Sequence, residues 1–505
     1  MKKTINISMV ILLLVGLGLS CTKNFEEINT SPNAPTDVPA IMVFTNVEIN
    51  SVNNWLGGWI QHTYLGCWSQ QWAKVQYIDE DKYQLRAGQQ DGFFNANYTY
   101  QKNLKIVLDK TADYAATDTK TDDALHGAAL VLSAWNWMQT TDVFGDIPYS
   151  EAIGGFDADG ILTPVYDTQE SIYMDLINNI LPMANTLLGS TSMNFGAGDV
   201  IYGGDPIAWQ KFANSLRLRM LTRTSEAYSE ADSKIAEMLG DSGKWPLMES
   251  NLDNCTLVYP GVLPYRNPIY NTLYTRTDQS ISQTAVNFMK DRDDPRLPVF
   301  AQPRGLDGEY KGQQNGAAND PGVNNRSLLG IQIAYTSDAP VFLLQYAEVE
   351  FYIAEYKART GGNPQANYEA GIRASFDNWG LGDAADAYLA HAKVAFDGSK
   401  AVELITEQKW MAIFGQGVEA FAEVRRTHTP SRIFEYELEG TEYPGLGLPI
   451  RMPYSDGEQS ENGLNLNDAK SRQSIPNLND GMFGARVWWD VRENPIPTEK
   501  DPQDG

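Results

Sequence analysis

Apolar and aromatic residues recur in this chain at three-four spacing over long segments, a period that selects helices. From Ile41 to Trp72 the positions Val47, Trp55, Trp59 and Trp68 follow it. Asp122 to Thr140 is Ala-rich, with Ala129, Leu132 and Trp135 on one side. Asp167-Thr-Gln-Glu170 has the order of a capping box, and Ile172, Leu176, Ile180 and Leu187 then form a stripe. Asp205-Pro206 offers an N-cap and a first-turn proline before Trp209, Phe212, Leu216 and Met220. Pro340 opens a segment whose Leu344, Ala347, Phe351, Ala354 and Ala358 are spaced for close helix contact. Asn363-Pro364 starts a partner helix with Tyr368, Ile372 and Phe376, and Ser399 precedes a long helix to about Arg426. Short Gly/Pro turns between these segments suggest stacked helical hairpins, without a strict repeat of about 34 residues. The stretches 189–205, 245–340 and 427–505 are rich in Gly, Pro, Asn and Asp and too long for simple connectors. They predict functional loops or short strand pieces.

The amino terminus divides differently. Lys2 and Lys3 precede the apolar run Met9–Leu19, too short for the ~20 residues a bilayer crossing needs. It fits a secretory leader over 1–20, ending at Gly18-Leu19-Ser20-Cys21 with the form of a bacterial lipoprotein processing site. Cys21 is the expected lipidation site, although Gly18 stands where a large apolar residue is usual. The polar segment 21–40 follows as a tether, and 41–505 is expected to form one domain. The chain carries 64 Asp plus Glu against 39 Lys plus Arg, a net charge of −25 that repels phosphate backbones. Nucleic acid is excluded as a partner on that ground. Besides Cys21 the chain has Cys67 and Cys255; a disulfide and two buried free thiols both fit, the free thiols more simply.

No catalytic or cofactor signature emerges. His62, His126, His391 and His428 are scattered, with no zinc-binding spacing. The chain has no G-x-S-x-G, Walker loop or G-x-G-x-x-G. Asp291-Arg292-Asp293-Asp294-Pro295-Arg296 lacks the ligand order of a calcium loop and is expected to be a solvated, self-paired turn. A glycosidase needs only two carboxylates, so that class stays open on composition alone.

Aromatic residues give the positive signal. Sugar rings have apolar C–H faces and polar rims, which suit flat aromatic platforms beside amides. Trp68, Gln71, Trp72, Gln76, Tyr77 and Tyr83, with Gln70 among them, supply that mixture. A second cluster, Tyr259 to Tyr274, holds Tyr265, Tyr270 and Tyr274 in a Pro/Gly/Asn-rich setting where side chains are exposed. Trp55, Trp59, Trp135, Trp137 and Trp209 are expected in the core.

Taken in order, the motifs resemble the SusD/RagB family. Thr141-Asp-Val-Phe-Gly-Asp-Ile-Pro-Tyr149 matches a D-x-F-G-D-I-P-Y signature, and Val165–Tyr173 and Gly204–Arg219 match the next blocks. Asp294–Pro298, Tyr346-Ala-Glu-Val, Glu407–Trp410, Ala420–Thr427 and Leu448–Tyr454 continue the series, as does the segment after Cys21. The resemblance implies a mainly α fold: helical hairpins similar to tetratricopeptide repeats, packed against an irregular ligand-binding half. It implies a non-enzymatic lipoprotein of the cell outer membrane, facing outward, without cofactor. Its partner would be a SusC-like TonB-dependent transporter, over which it closes as a lid, delivering an oligosaccharide or, in some members, a peptide. A lid without ligand recognition of its own is the further alternative. The motif residues Phe144, Tyr149, Arg217, Arg219, Arg425 and Arg426 are expected to serve packing and interhelix charge pairing.

Overall fold

In a computed structural model the described residues are 37–57, 60–112, 120–155, 160–475, 481–493, 495–497 and 499–500. The leader, Cys21, most of the expected tether and Trp59 lie outside them. The helices of the frame begin with α1 (Ala40–Leu56), α2 (Gln89–Lys110), α3 (Lys120–Phe144), α4 (Leu181–Gly189) and α5 (Pro206–Arg223). After a long irregular region come α6 (Tyr346–Thr360), α7 (Gln365–Asp377), α8 (Ala401–Ala412) and α9 (Gly417–Thr427). Neighbours pack in sequence, α1 on α2, α2 on α3, and so on to α5 against α6 and α6 against α7 and α8. This is the mainly α hairpin stack the periodicity predicts.

Local chemistry explains the boundaries. Asp205 caps α5, accepting from the Ile207 and Ala208 amides. Gly371 of α7 sits beneath the Phe351 ring of α6, where a Cβ would come within 2.8 Å, so the two helices approach closely only there as glycine. Three expectations need correction. Thr168, not Asp167, caps the next helix; Asp167 accepts instead from the Tyr149 and Ser150 amides, where it ties the 147–149 segment. Val341–Leu344 is a strand, because four apolar residues in succession suit burial on both faces, and α6 starts after it on a Gln345/Glu348 capping box. The helix expected to run from Ser399 to Arg426 is two, broken around Gly415 at φ +93°.

Three two-stranded pairs occur among the described residues: β1 (Trp72–Lys74) with β5 (Gln279–Ile281), β2 (Ile147–Pro148) with β3 (Tyr166–Asp167), and β4 (Cys255–Leu257) with β6 (Val341–Leu344). Trp55, Trp135, Trp137 and Trp209 are buried in one continuous core. Cys67 and Cys255 are buried and are not joined in a disulfide. The 291–296 turn is not solvated throughout: Asp294 and Arg296 pair at 2.6 Å with both side chains fully buried, and Arg296 also lies over the Phe376 ring.

The family motifs converge on buried charge. Arg219 and Arg223 of α5 reach Glu348 of α6, Glu419 of α9 and Asp142 of α3. Lys409 and Arg426 hold Glu355 and Glu423 in a second cluster. Arg217 donates to the Ile177 carbonyl, and Arg425 to the carbonyls of Ile450 and Asp142. Phe144 meets Phe94 edge-on at 5.2 Å, and Tyr149 meets Trp137 at 5.0 Å. These residues build the frame.

Candidate functional site

The β1–β5 pair joins the end of the first aromatic cluster to the segment that follows the second, about two hundred residues on in sequence. Its register sets Trp72 against Ile281 and Lys74 against Gln279, and the Val75 amide continues it to the Asp278 carbonyl at 3.0 Å. One further step places Tyr77 by Arg276, whose guanidinium lies 5.9 Å from the ring centre. Arg276 is held by Asp278, 2.8 Å away. Tyr77 is 62% exposed and adopts φ +52°, a left-handed backbone that a bulky residue rarely takes.

Tyr265, Tyr270 and Tyr274 surround a short helix, Pro268–Leu273. Asn267 caps it, accepting from the Ile269 and Tyr270 amides, while its own amide group donates to Ala339. One helical turn separates Tyr270 from Tyr274, so their rings stack at 5.2 Å and 19°. Tyr274 is 52% and Tyr265 54% exposed. Tyr265 and Arg266 also line a cleft of about 330 Å³ that continues to Asn53 and Ile49 of α1. The result is a shelf of tyrosines with a cleft beside it, large enough to hold about two sugar rings by general pocket dimensions.

Four residues of the first cluster are not on this shelf. Trp68, Gln71, Trp72 and Tyr83 are core residues. Trp68 is wedged edge-on between Tyr64, Tyr83 and Phe421 and donates to the Glu80 carbonyl. Trp72 stacks on Phe414 at 6.2 Å. Gln71 spends its amide on the Trp410 carbonyl and the Gly415 amide. Tyr83 is covered by Trp68 and Phe483. For Trp72 the physical reason is β1, which is buried on both faces, so alternation exposes nothing until the ladder ends, whereas Trp68, Gln71 and Tyr83 flank the strand and are buried by those contacts. Gln76 is half-buried next to Tyr77 and stays at the site's edge. Sequence reasoning missed Arg266, Arg276, Asn53 and Asn271. The arginines lie within two residues of chosen tyrosines, whereas nothing in the sequence couples α1 to this loop.

Beneath Tyr77 the 70–83 loop is fastened by buried charge. Lys74 pairs with Glu80 at 2.9 Å, and Asp81 accepts from the Lys74 amide and from Asn315. Burial pushes the Asp81 carboxyl up to about 7 against those donors. A carboxyl raised in the folded state binds more protons folded than unfolded between its unfolded value of about 3.9 and about 7, so stability falls as pH rises across that window. Asp81→Asn is expected to flatten the decline between about pH 4 and pH 7, read from urea midpoints across that range; an unchanged slope would clear Asp81 of it. Among the described residues no group of three or more His, Cys, Asp or Glu could hold a metal ion.

Known structures share this architecture. A SusD homologue from Bacteroides fragilis superposes with a TM-score of 0.73 at 25% identity, covering 90% of this chain and 100% of that one. A chitin-binding SusD homologue from Flavobacterium johnsoniae gives 0.73 at 25% identity, covering 90% and 98%. A SusD homologue from Bacteroides uniformis gives 0.76 at 22%, covering 90% and 100%, a likeness of fold. No curated protein matches the chain. A SusD-like family model described as starch-binding, associating with the outer membrane, matches residues 32–455. With most of its length inside that model and the same helical frame, the chain belongs to the SusD-like family.

Proposed function

We propose that this protein captures an oligosaccharide at the cell surface and passes it, chemically unchanged, to a SusC-like TonB-dependent transporter that it covers as a lid. Cys21 is the proposed lipid anchor to the outer membrane, and 41–505 the single nutrient-binding domain. The observation that carries the reading is a set of exposed tyrosines, Tyr77, Tyr265 and Tyr274, with half-buried Tyr270 stacked on Tyr274, in a molecule whose described tryptophans are largely buried. The starch-binding description of the family and the chitin-binding relative agree with a sugar ligand. A peptide would ask for a groove with rows of backbone partners, and the shelf instead offers flat faces to C–H surfaces.

The test is a panel of neutral and acidic polysaccharides against the purified chain, with product analysis of the same samples. Retention without cleavage is expected. Tyr274→Ala, which removes one face of the stacked pair, should weaken binding about tenfold, in line with about 1–2 kcal/mol for a well-used aromatic contact. Its thermal midpoint should stay that of the parent. Shortened products would replace the receptor with a glycosidase, and an unchanged isotherm for Tyr274→Ala would move the ligand off the shelf.

A further inference from the structure

The tyrosine shelf leaves one group beside it unexplained. Arg266 follows Tyr265 and lines the same cleft. In so acidic a chain, arginines find carboxylates readily: Arg276 meets Asp278, Arg292 meets Glu407 and Arg296 meets Asp294. Arg266 meets none among the described residues. Its Nε is buried with no oxygen accepting from it, and its guanidinium rests 5.7 Å from the centre of the Tyr270 ring. A ring contact orients a guanidinium without neutralising it, so its two terminal nitrogens keep their capacity for a planar anion.

The walls of the cleft favour the same charge. None of the residues lining it is acidic. The Asn53 oxygen already accepts from the Tyr259 hydroxyl at 2.7 Å, which leaves the Asn53 amide nitrogen as a donor at the cleft. Asn271 donates to the Arg266 carbonyl at 3.4 Å and braces the loop that carries the guanidinium. The net charge of −25 opposes an anionic ligand at long range, but at physiological ionic strength charges beyond about 8 Å are screened. The local guanidinium therefore decides.

We infer that the ligand of this shelf carries a carboxylate read by Arg266, and so is an acidic glycan containing uronic acid. This rests on the receptor reading above. Stacking on Tyr270 and Tyr274 holds the sugar ring, and the guanidinium fork takes both oxygens of its carboxylate in parallel hydrogen bonds. Arg266 is thus the residue that discriminates between charged and neutral sugars of similar shape.

Calorimetry with the purified chain tests this, using polygalacturonate, alginate and a glucuronate polymer, each beside its methyl ester, together with starch and chitin oligosaccharides. The ester keeps the ring and removes the charge. The expected result is at least tenfold tighter binding of one uronate than of its ester, a preference that Arg266→Gln abolishes by weakening the acid form alone. Added salt should weaken the acid form and spare the ester. Tyr274→Ala should weaken both forms, which separates the shelf from the charge reader. Binding confined to neutral glycans or esters, or a preference that survives in Arg266→Gln, overturns the acidic-sugar inference and leaves the receptor standing. Binding of no glycan, charged or neutral, overturns both.

Discussion

Trp72→Ala should lower folding stability by about 3–5 kcal/mol, the usual cost of emptying a buried tryptophan site. The side chain is fully buried, stacked on Phe414, which itself stacks on Phe300 at 4.4 Å and 8°. Its backbone pairs with Ile281, and its carbonyl accepts from Asn315, the amide that also holds Asp81. Truncation would leave a void at the base of the loop that ends in Tyr77. Against a typical total of about 5–15 kcal/mol, that loss should appear as a large fall in the urea midpoint and the thermal midpoint. Any loss of glycan binding would follow from the displaced loop, so it should diminish at low temperature where the variant is folded. Tyr77→Ala provides the contrast: a ring that is 62% exposed and lies against the Arg276 guanidinium should change stability by no more than about 0.5 kcal/mol. If Trp72→Ala kept the parent midpoints and lost only ligand, Trp72 would be a binding residue after all.

The difference between these two neighbours shows what the sequence could and could not reveal. Periodicity located the helices because a buried stripe leaves a direct trace, as in α1 and α7. It failed at Val341–Leu344, where a short apolar run looks alike in a strand and in a helix end, and the choice fell to its partner Cys255–Leu257. Composition correctly marked 68–83 and 259–274 as aromatic-rich, but richness does not separate a ring in the core from one on a rim. That separation depends on where β1 stops being paired, and its pairing partner lies at 279–281. Tyr77 is exposed because the ladder ends before it; Trp72 is buried because the ladder includes it. The cleft was less visible still, since Asn53 reaches it from α1 and no local pattern links that helix to Arg266.

Arg223→Ala should cost a further about 3–5 kcal/mol, by a different mechanism. Arg223 is fully buried and pairs at once with Asp142 and Glu419. Removing it leaves two carboxylates in a region closed to water, supported only in part by what remains. Asp142 keeps the Tyr173 hydroxyl at 2.5 Å and the Trp489 indole at 2.8 Å; Glu419 keeps the Tyr352 hydroxyl at 3.2 Å. Arg223→Lys should recover little, because one ammonium cannot span both acids as the fork does. The pH response identifies the cause. Burial opposes the charge of Glu419, but Arg219 and Arg223 outweigh it and hold the carboxyl below its ordinary value. A depressed carboxyl contributes stability above its unfolded value of about 4.3, lost as pH falls toward the folded one. In Arg223→Ala both carboxyls lose the cation that lowers them, Asp142 starting from a value that burial already raises, so they should protonate at higher pH than in the parent and the deficit should narrow as pH is lowered. Arg223→Met combined with Asp142→Asn and Glu419→Gln should regain much of the stability, since it removes the stranded charges along with their partner. A triple variant no better than the single would show that the arginine acts through packing and not through charge, and a single variant as stable as the parent would show that it contributes by neither. The site predicts the complementary result: because Asp142, Arg223 and Glu419 join α3, α5 and α9 and not the tyrosine loops, a folded triple variant should bind glycan as the parent does.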